Sequence, residues 1–169
     1  DWSSDVCSSD LPWGPSLRLD AGYTHAHTGA YSAPYARLAL SMPLDRAPAA
    51  FVDEVGGVVR VQQLGASAQY LPRMRFKDGR VEGVTHLAVR MSREFTPRLY
   101  GTAQAGSAAA GSAGAYSFGL FGAGVQSEPL WRGLRVGGEW LVGAAGGGGV
   151  WVGGGAVTQA ELWAQWPVT

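Results

Sequence analysis

The 169-residue chain holds one cysteine, Cys7, one lysine, Lys77, and charged residues at only 15% of positions. A single cysteine supports neither an intrachain disulfide framework nor a thiolate metal cluster. Soluble domains carry about 25% charged residues, so this chain is short of the surface charge that keeps such domains in solution. Its 13 Lys+Arg balance 13 Asp+Glu, which excludes a strongly basic nucleic-acid binder and an acidic disordered tail. A membrane-spanning helix is missing too. Leu99–Ser127 and Trp140–Ala160 are uncharged and exceed the roughly 20 residues a spanning helix needs. The second stretch, however, contains eight Gly in 21 residues, each costing about 1 kcal/mol against Ala in a helix interior. The first is rich in Gly, Ser and Gln, with no sustained Leu/Ile core. No 3.6-residue amphipathic pattern of useful length appears elsewhere.

Residues 1–11, DWSSDVCSSDL, resemble the translation of a sequencing adapter and are set apart from the fold, as a tag would be. Without them the chain has no cysteine, and Asp1, Asp5 and Asp10 go as well, leaving 13 cations against 10 anions. Residues 12–169 are then the folding unit, read as the C-terminal part of a longer protein from which any signal peptide is missing.

What remains has period two. Leu17, Leu19, Ala21 and Tyr23 alternate with Arg18, Asp20, Gly22 and Thr24. Thr85, Leu87, Val89 and Met91 alternate with His86, Ala88, Arg90, Ser92 and Glu94. Leu134, Val136, Trp140 and Val142 oppose Arg135, Gly137, Glu139 and Leu141, and Ala160, Leu162, Ala164 and Trp166 oppose Gln159, Glu161 and Gln165. Alternate side chains on a strand face opposite sides, so these are strands with one oily and one polar face. Lys77-Asp78-Gly79-Arg80 is a hairpin signal; Pro97 and Glu128-Pro129 mark further turns. The pattern predicts strands at 16–27, 34–43, 57–64, 65–76, 82–95, 98–108, 115–126 and 133–143, with 156–166 as an additional one. Many are ten residues or longer, against a usual mode of about 5–6, and a tilted transmembrane strand needs about 9–11. The links at 95–98 and 127–132 are tight. Those at 108–115 and 144–155 read as long, uncharged loops.

Over residues 16–166 this pattern resembles a bacterial outer-membrane β-barrel. The resemblance implies an all-β, antiparallel up-and-down transmembrane barrel, with about eight strands present as all or part of a larger barrel. It implies a lipid-facing apolar parity, aromatic girdles and a polar lumen. Leu87, Val89, Met91, Leu134, Val136, Trp140 and Trp166 are the lipid-facing or girdle candidates; Tyr23, Tyr100, Tyr116, Trp131 and Trp163 also fall near predicted strand ends. Arg90, Glu94, Gln104, Arg135, Glu139 and Glu161 are the lumen-facing candidates, with Arg90 set beside Glu94 and Arg135 beside Glu139 as structural or channel-lining charges. One departure from the resemblance is that Trp166 is followed by Pro167-Val168-Thr169, where such barrels commonly end on an aromatic residue.

Function follows from the resemblance only at class level: an outer-membrane pore, transport channel or structural envelope protein. Its partners would be outer-membrane lipid and small solutes or an exported polymer, not nucleic acid. The alternatives are an outer-membrane lipid-modifying enzyme and a soluble β-sandwich binding domain. An enzyme needs a Ser/His/acid constellation near one rim. His86 and Ser92 share a face, but neighbouring same-face residues are already about 7 Å apart by rise, so another strand would have to supply the partner. His25 and His27 also share a face; H-x-H without further ligands is a weak metal motif. The run Gly146–Gly155 lacks the Lys-Ser/Thr of a phosphate loop and reads as a flexible loop or a Gly turn, with Trp151 at the lipid interface. No metal, cofactor or catalytic residue is assigned.

Overall fold

The computed structural model describes residues 14–27, 32–44, 50–52, 58–60 and 62–168. Residues 1–11 lie outside that set. Among the described residues ten strands form: β1 (Ser16–Ala26), β2 (Ser32–Pro43), β3 (Ala50–Val52), β4 (Val58–Arg60), β5 (Gln63–Arg75), β6 (Val81–Glu94), β7 (Leu99–Ala110), β8 (Ser117–Gln126), β9 (Arg135–Gly146) and β10 (Ala156–Pro167). Eight of them make a closed antiparallel barrel in the order β1-β10-β9-β8-β7-β6-β5-β2, while β3 and β4 pair as a separate hairpin. Each barrel strand therefore neighbours the next barrel strand in sequence, and β1 pairs with β10 from Ser16↔Pro167 to Ala26↔Val157. Closure leaves no unpaired edge, which hydrocarbon would not tolerate.

The fold is the expected up-and-down barrel, with three corrections. The eight strands close among themselves, so they are not a sector of a wider cylinder. The predicted strand 57–64 is no barrel member: Val58–Arg60 belongs to the small hairpin, and β5 begins at Gln63. The segment at 156–166 is instead a full wall strand. Finally, the predicted long loops shrink, because β7 runs on to Ala110 and β9 to Gly146. Alternating small residues carry the wall as well as large ones do, and their low hydrophobicity disguised them as loop. The longest connection, 44–62, lies at the same end as the tight 95–98 turn.

Polarity is inside out. On β1 the buried residues are Arg18, Asp20, Thr24 and Ala26, and the exposed ones include Leu17, Leu19 and Tyr23. The same alternation runs through β2, where Arg37 is buried and Leu38 is 48% exposed, and through β6, where Arg90 is buried and Val89 is 50% exposed. Outward charges on the described barrel strands are confined to strand ends, at Arg73 and Arg75 on one rim and Arg93 on the other. Soluble monomers rarely expose continuous apolar surface beyond a few hundred Å². A girdle of Leu, Val, Met and Trp round a whole barrel is the surface of a transmembrane one. Among the candidates, Leu87, Val89, Met91, Val136, Trp140 and Trp166 point outward and are exposed. Leu134 precedes β9 and is half-buried.

The rim formed by the β5–β6 and β9–β10 turns is sealed. Asp78-Gly79 turns the first hairpin, with Gly79 at φ 86°, and the Arg80 side chain donates to Asp78 Oδ2 at 2.6 Å, holding that exposed carboxyl below its ordinary pKa. The Gly-rich run then folds across the mouth: Lys77 N donates to Gly149 O at 2.9 Å, Trp151 N donates to Arg75 O at 2.9 Å, and Phe76 bridges to Val150. Gly147, Gly148 and Gly149 all have positive φ, a path that L side chains would resist. Phe76 and Val150 are buried here above Met74, Val84, Leu71 and Leu141, while Trp151 is 47% exposed.

Val89→Arg, at mid-strand on the outer face, is expected to cost about 2–4 kcal/mol of stability in a bilayer, read from denaturant titration of vesicle-refolded protein. The same substitution at outward Met42, beside a rim, is expected to cost less, because depth in the apolar band sets the penalty.

Candidate functional site

Two places carry chemistry: the middle of the lumen and one patch of the outer wall. An eight-stranded barrel is just wide enough for side chains to fill it. Its central layer is charged. Arg18, Arg37 and Arg90 meet Asp20, Glu139 and Glu161, and all six are buried. Arg18 Nε donates to Asp20 Oδ1 at 2.5 Å and its Nη2 to Glu161 Oε1 at 2.7 Å. Arg37 Nη2 donates to Asp20 Oδ1 at 3.1 Å and also pairs with Glu161. Arg90 grips Glu139 through both terminal nitrogens. Three guanidiniums thus face three carboxylates, the only buried Arg, Asp and Glu side chains among the described residues.

Neutral groups complete the layer. Tyr100 OH donates to Glu139 Oε2 at 2.6 Å, and Trp163 Nε1 donates to Tyr100 OH at 2.7 Å. Tyr35 OH donates to Glu161. Arg18 lies 4.3 Å from the centroid of the Trp163 ring, a cation–π contact. Gln104 accepts from Arg37 Nη1 at 2.6 Å and donates to Gln159 Oε1 at 2.9 Å. The aromatic rings need bare backbone opposite them. A Cβ on Gly22 would lie 2.6 Å from Tyr35 OH, and one on Gly137 would collide with Trp163.

The structure brings four of the predicted lumen residues, Arg90, Gln104, Glu139 and Glu161, into this cluster, and separates the other two. Glu94 and Arg135 pair with each other at 3.0 Å, half-exposed near the rim that holds the 95–98 turn. Gln126 donates to Glu94 there at 2.7 Å. The expected partners are therefore exchanged: Arg90 holds Glu139, and Arg135 holds Glu94. Positions i and i+4 of a strand are about 13 Å apart by rise, so same-strand charges do not meet, whereas residues across a narrow lumen do. Arg18, Asp20 and Arg37 are not among the expected lumen residues, although Arg18 and Asp20 stand on the polar parity of the first strand. Tyr100, Tyr116 and Trp163 are corrected from the lipid girdle to the interior, where all three are buried.

Beyond the charged layer the lumen holds buried neutral polar side chains, Thr24, Ser67, Gln69, His86 and Gln159, and towards the Gly-rich rim it turns apolar. Ala26, Ala33, Met74, Val84, Ala113 and Leu141 are 0% exposed.

The second place is outside. His25 on β1 and Ser32 at the start of β2 pair in register and both point outward near the Gly-rich rim. His25 Nδ1 lies 2.6 Å from Ser32 Oγ, and the His27 ring stands edge-on to His25 at 5.3 Å between centroids. Here a neighbouring strand supplies the partner that no single strand could offer. His86, by contrast, is inside the barrel, stacked on Tyr116 at 5.0 Å.

Arg90→Met would leave three buried carboxylates facing two guanidiniums, which is expected to cost about 3–5 kcal/mol, the usual penalty for stranding a buried charge. Adding Glu139→Gln restores the balance and is expected to recover most of the loss in the same denaturant titration. Equal stability of the single and double variants would remove the charge-balance account.

No protein-family model and no curated protein matches the chain. Among solved structures, the barrel is similar to one described as the crystal structure of the outer membrane enzyme PagL, at 14% sequence identity and a TM-score of 0.46, over 90% of this chain and 99% of that one. No residue or role is carried across from that likeness.

Proposed function

We propose that the protein is an outer-membrane β-barrel with a sealed lumen that works on its lipid-facing surface, hydrolysing lipid esters with Ser32 as nucleophile and His25 as base. The observation that carries this reading is the 2.6 Å contact between His25 Nδ1 and Ser32 Oγ on the outer wall. That is the nucleophile–base distance acyl transfer requires. The placement suits a substrate whose head sits at the membrane interface and whose chains run down the wall. Ser32 Oγ would attack the ester carbonyl carbon while its proton passes to His25. The departing alcohol would take that proton back, and water would then release the acyl group from Ser32.

The buried interior argues against the pore and transport readings. A diffusion channel needs a wet path, and both the charged layer and the apolar layer above it are closed to water. A second reading, a purely structural envelope barrel, is favoured by one specific observation: among the described residues no carboxylate contacts His25.

In detergent micelles, Ser32→Ala and His25→Ala are each expected to lower ester hydrolysis at least 100-fold, since losing a general base or its nucleophile costs about that much or more. Heat-modifiable gel migration should stay unchanged. A folded wild-type barrel that hydrolyses neither short-chain aryl esters nor acylated lipids would favour the structural reading. Stepwise conductance in a planar bilayer would restore the pore.

A further inference from the structure

Hydrogen-bond compensation inside this barrel fails at a single cluster. Five buried side-chain atoms have no hydrogen-bond partner among the described residues: Ser67 Oγ, Gln69 Oε1 and Nε2, and His86 Nδ1 and Nε2. They are neighbours. Gln69 and His86 oppose each other across β5 and β6, and Ser67 shares the inward face of Gln69 two residues away. Exposure is 6% for Ser67, 1% for Gln69 and 2% for His86. A buried donor or acceptor left unmet loses its hydration with no return, and native interiors seldom leave one so. Five in one patch therefore call for a common partner.

The surroundings define that partner. Opposite Ser67 stand Ala39 and Ala88, and opposite His86 stands Ala108. The side chains opposite the polar trio are thus three methyl groups, none of which can donate or accept a hydrogen bond. Tyr116 and Phe118 roof it, with ring centroids 5.0 and 5.4 Å from that of His86. Arg37 is the register partner of Gln69, but its guanidinium is committed to Asp20, Glu161 and Gln104. The charged layer balances within itself, so it offers no counter-charge to an ionic guest. Gln69 presents two donors and an acceptor, neutral His86 one of each, and Ser67 both. A guest must therefore be neutral, small, and able to donate and accept together.

We propose that Ser67, Gln69 and His86 form an internal hydration site, a chamber holding at least two water molecules between the charged layer and the apolar lid. One buried water makes about three hydrogen bonds, fewer than the five atoms require. The lid closes the chamber on one side and the charged layer on the other, so its water exchanges slowly with bulk.

The test is water-to-protein magnetisation transfer by NMR on the full chain in detergent micelles. Transfer is expected from water to the Gln69 side-chain amide and to the His86 ring, and it should survive a soluble paramagnetic quencher. Gln69→Leu/His86→Phe should abolish it, and so should Ala88→Val, which fills the chamber and keeps the polar trio. Heat-modifiable migration reports that each variant is folded. Three results would overturn the proposal: no transfer in the wild type, transfer erased by the quencher, or a direct Gln69–His86 hydrogen bond in a dry interior.

Discussion

A guanidinium buried in a narrow protein lumen must be matched by a carboxylate, and the matching must close within the layer. Everything else in this barrel is arranged around that requirement. Arg18, Arg37 and Arg90 come from β1, β2 and β6, and Asp20, Glu139 and Glu161 from β1, β9 and β10. No local segment contains the balance. It exists only when the sheet has curled round and β1 has met β10. The charged layer is thus a statement of closure: an open sheet would leave three cations and three anions facing each other at a distance or facing lipid. Removing one member leaves the remaining five unbalanced, with an uncompensated charge buried in the lumen.

The layer also decides what the lumen can do. Tyr35, Tyr100 and Trp163 reach inward because Gly22, Gly124 and Gly137 clear the backbone in front of them. The Tyr35 hydroxyl donates to Glu161 Oε2, the Tyr100 hydroxyl joins Arg90 on Glu139 Oε2, and the Trp163 indole donates in turn to the Tyr100 hydroxyl. The layer is thus knit from both ionic and neutral hydrogen bonds. Towards the Gly-rich rim the lumen closes under an apolar lid that includes Phe76 and Val150. Chemistry, where the barrel has any, is displaced to surfaces that touch lipid or the interface, and the His25–Ser32 contact is such a place.

The architecture was largely legible in the sequence, for a physical reason. Period two is imposed by the strand itself, so every stretch such as Val84–Phe95 states both its geometry and its inward face without reference to the rest of the chain. The Asp78-Gly79 turn is local in the same sense. Partner identity is not local. Arg90 and Glu139 are 49 residues apart, and Arg37 and Glu161 are 124 apart; nothing in either neighbourhood names the other. The same limit sent Tyr100 and Trp163 to the girdle on strand-end position alone, although their parity with Gln104 and Glu161 placed them inside. Ser32 was invisible for a further reason. Its contact with His25 depends on the register between β1 and β2, which the composition of either strand does not state.

The contrast between the barrel's two polar layers is itself informative. In the charged layer every ion is paired with an opposite charge within the protein, because ions make unpaired burial prohibitive. In the layer of Ser67, Gln69 and His86 the groups are neutral, and the side chains around them are alanines instead of partners. A sequence under pressure only to stabilise the lumen could have placed Leu or Phe there, as it did at Leu71, Phe118 and Leu141. Keeping three neutral polar groups between a neutralised ionic layer and an apolar lid grades the interior from charged to polar to oily. A water-filled step in that gradient lets the ionic layer keep a polarisable neighbour on the side where the lid would otherwise press hydrocarbon directly against buried charge.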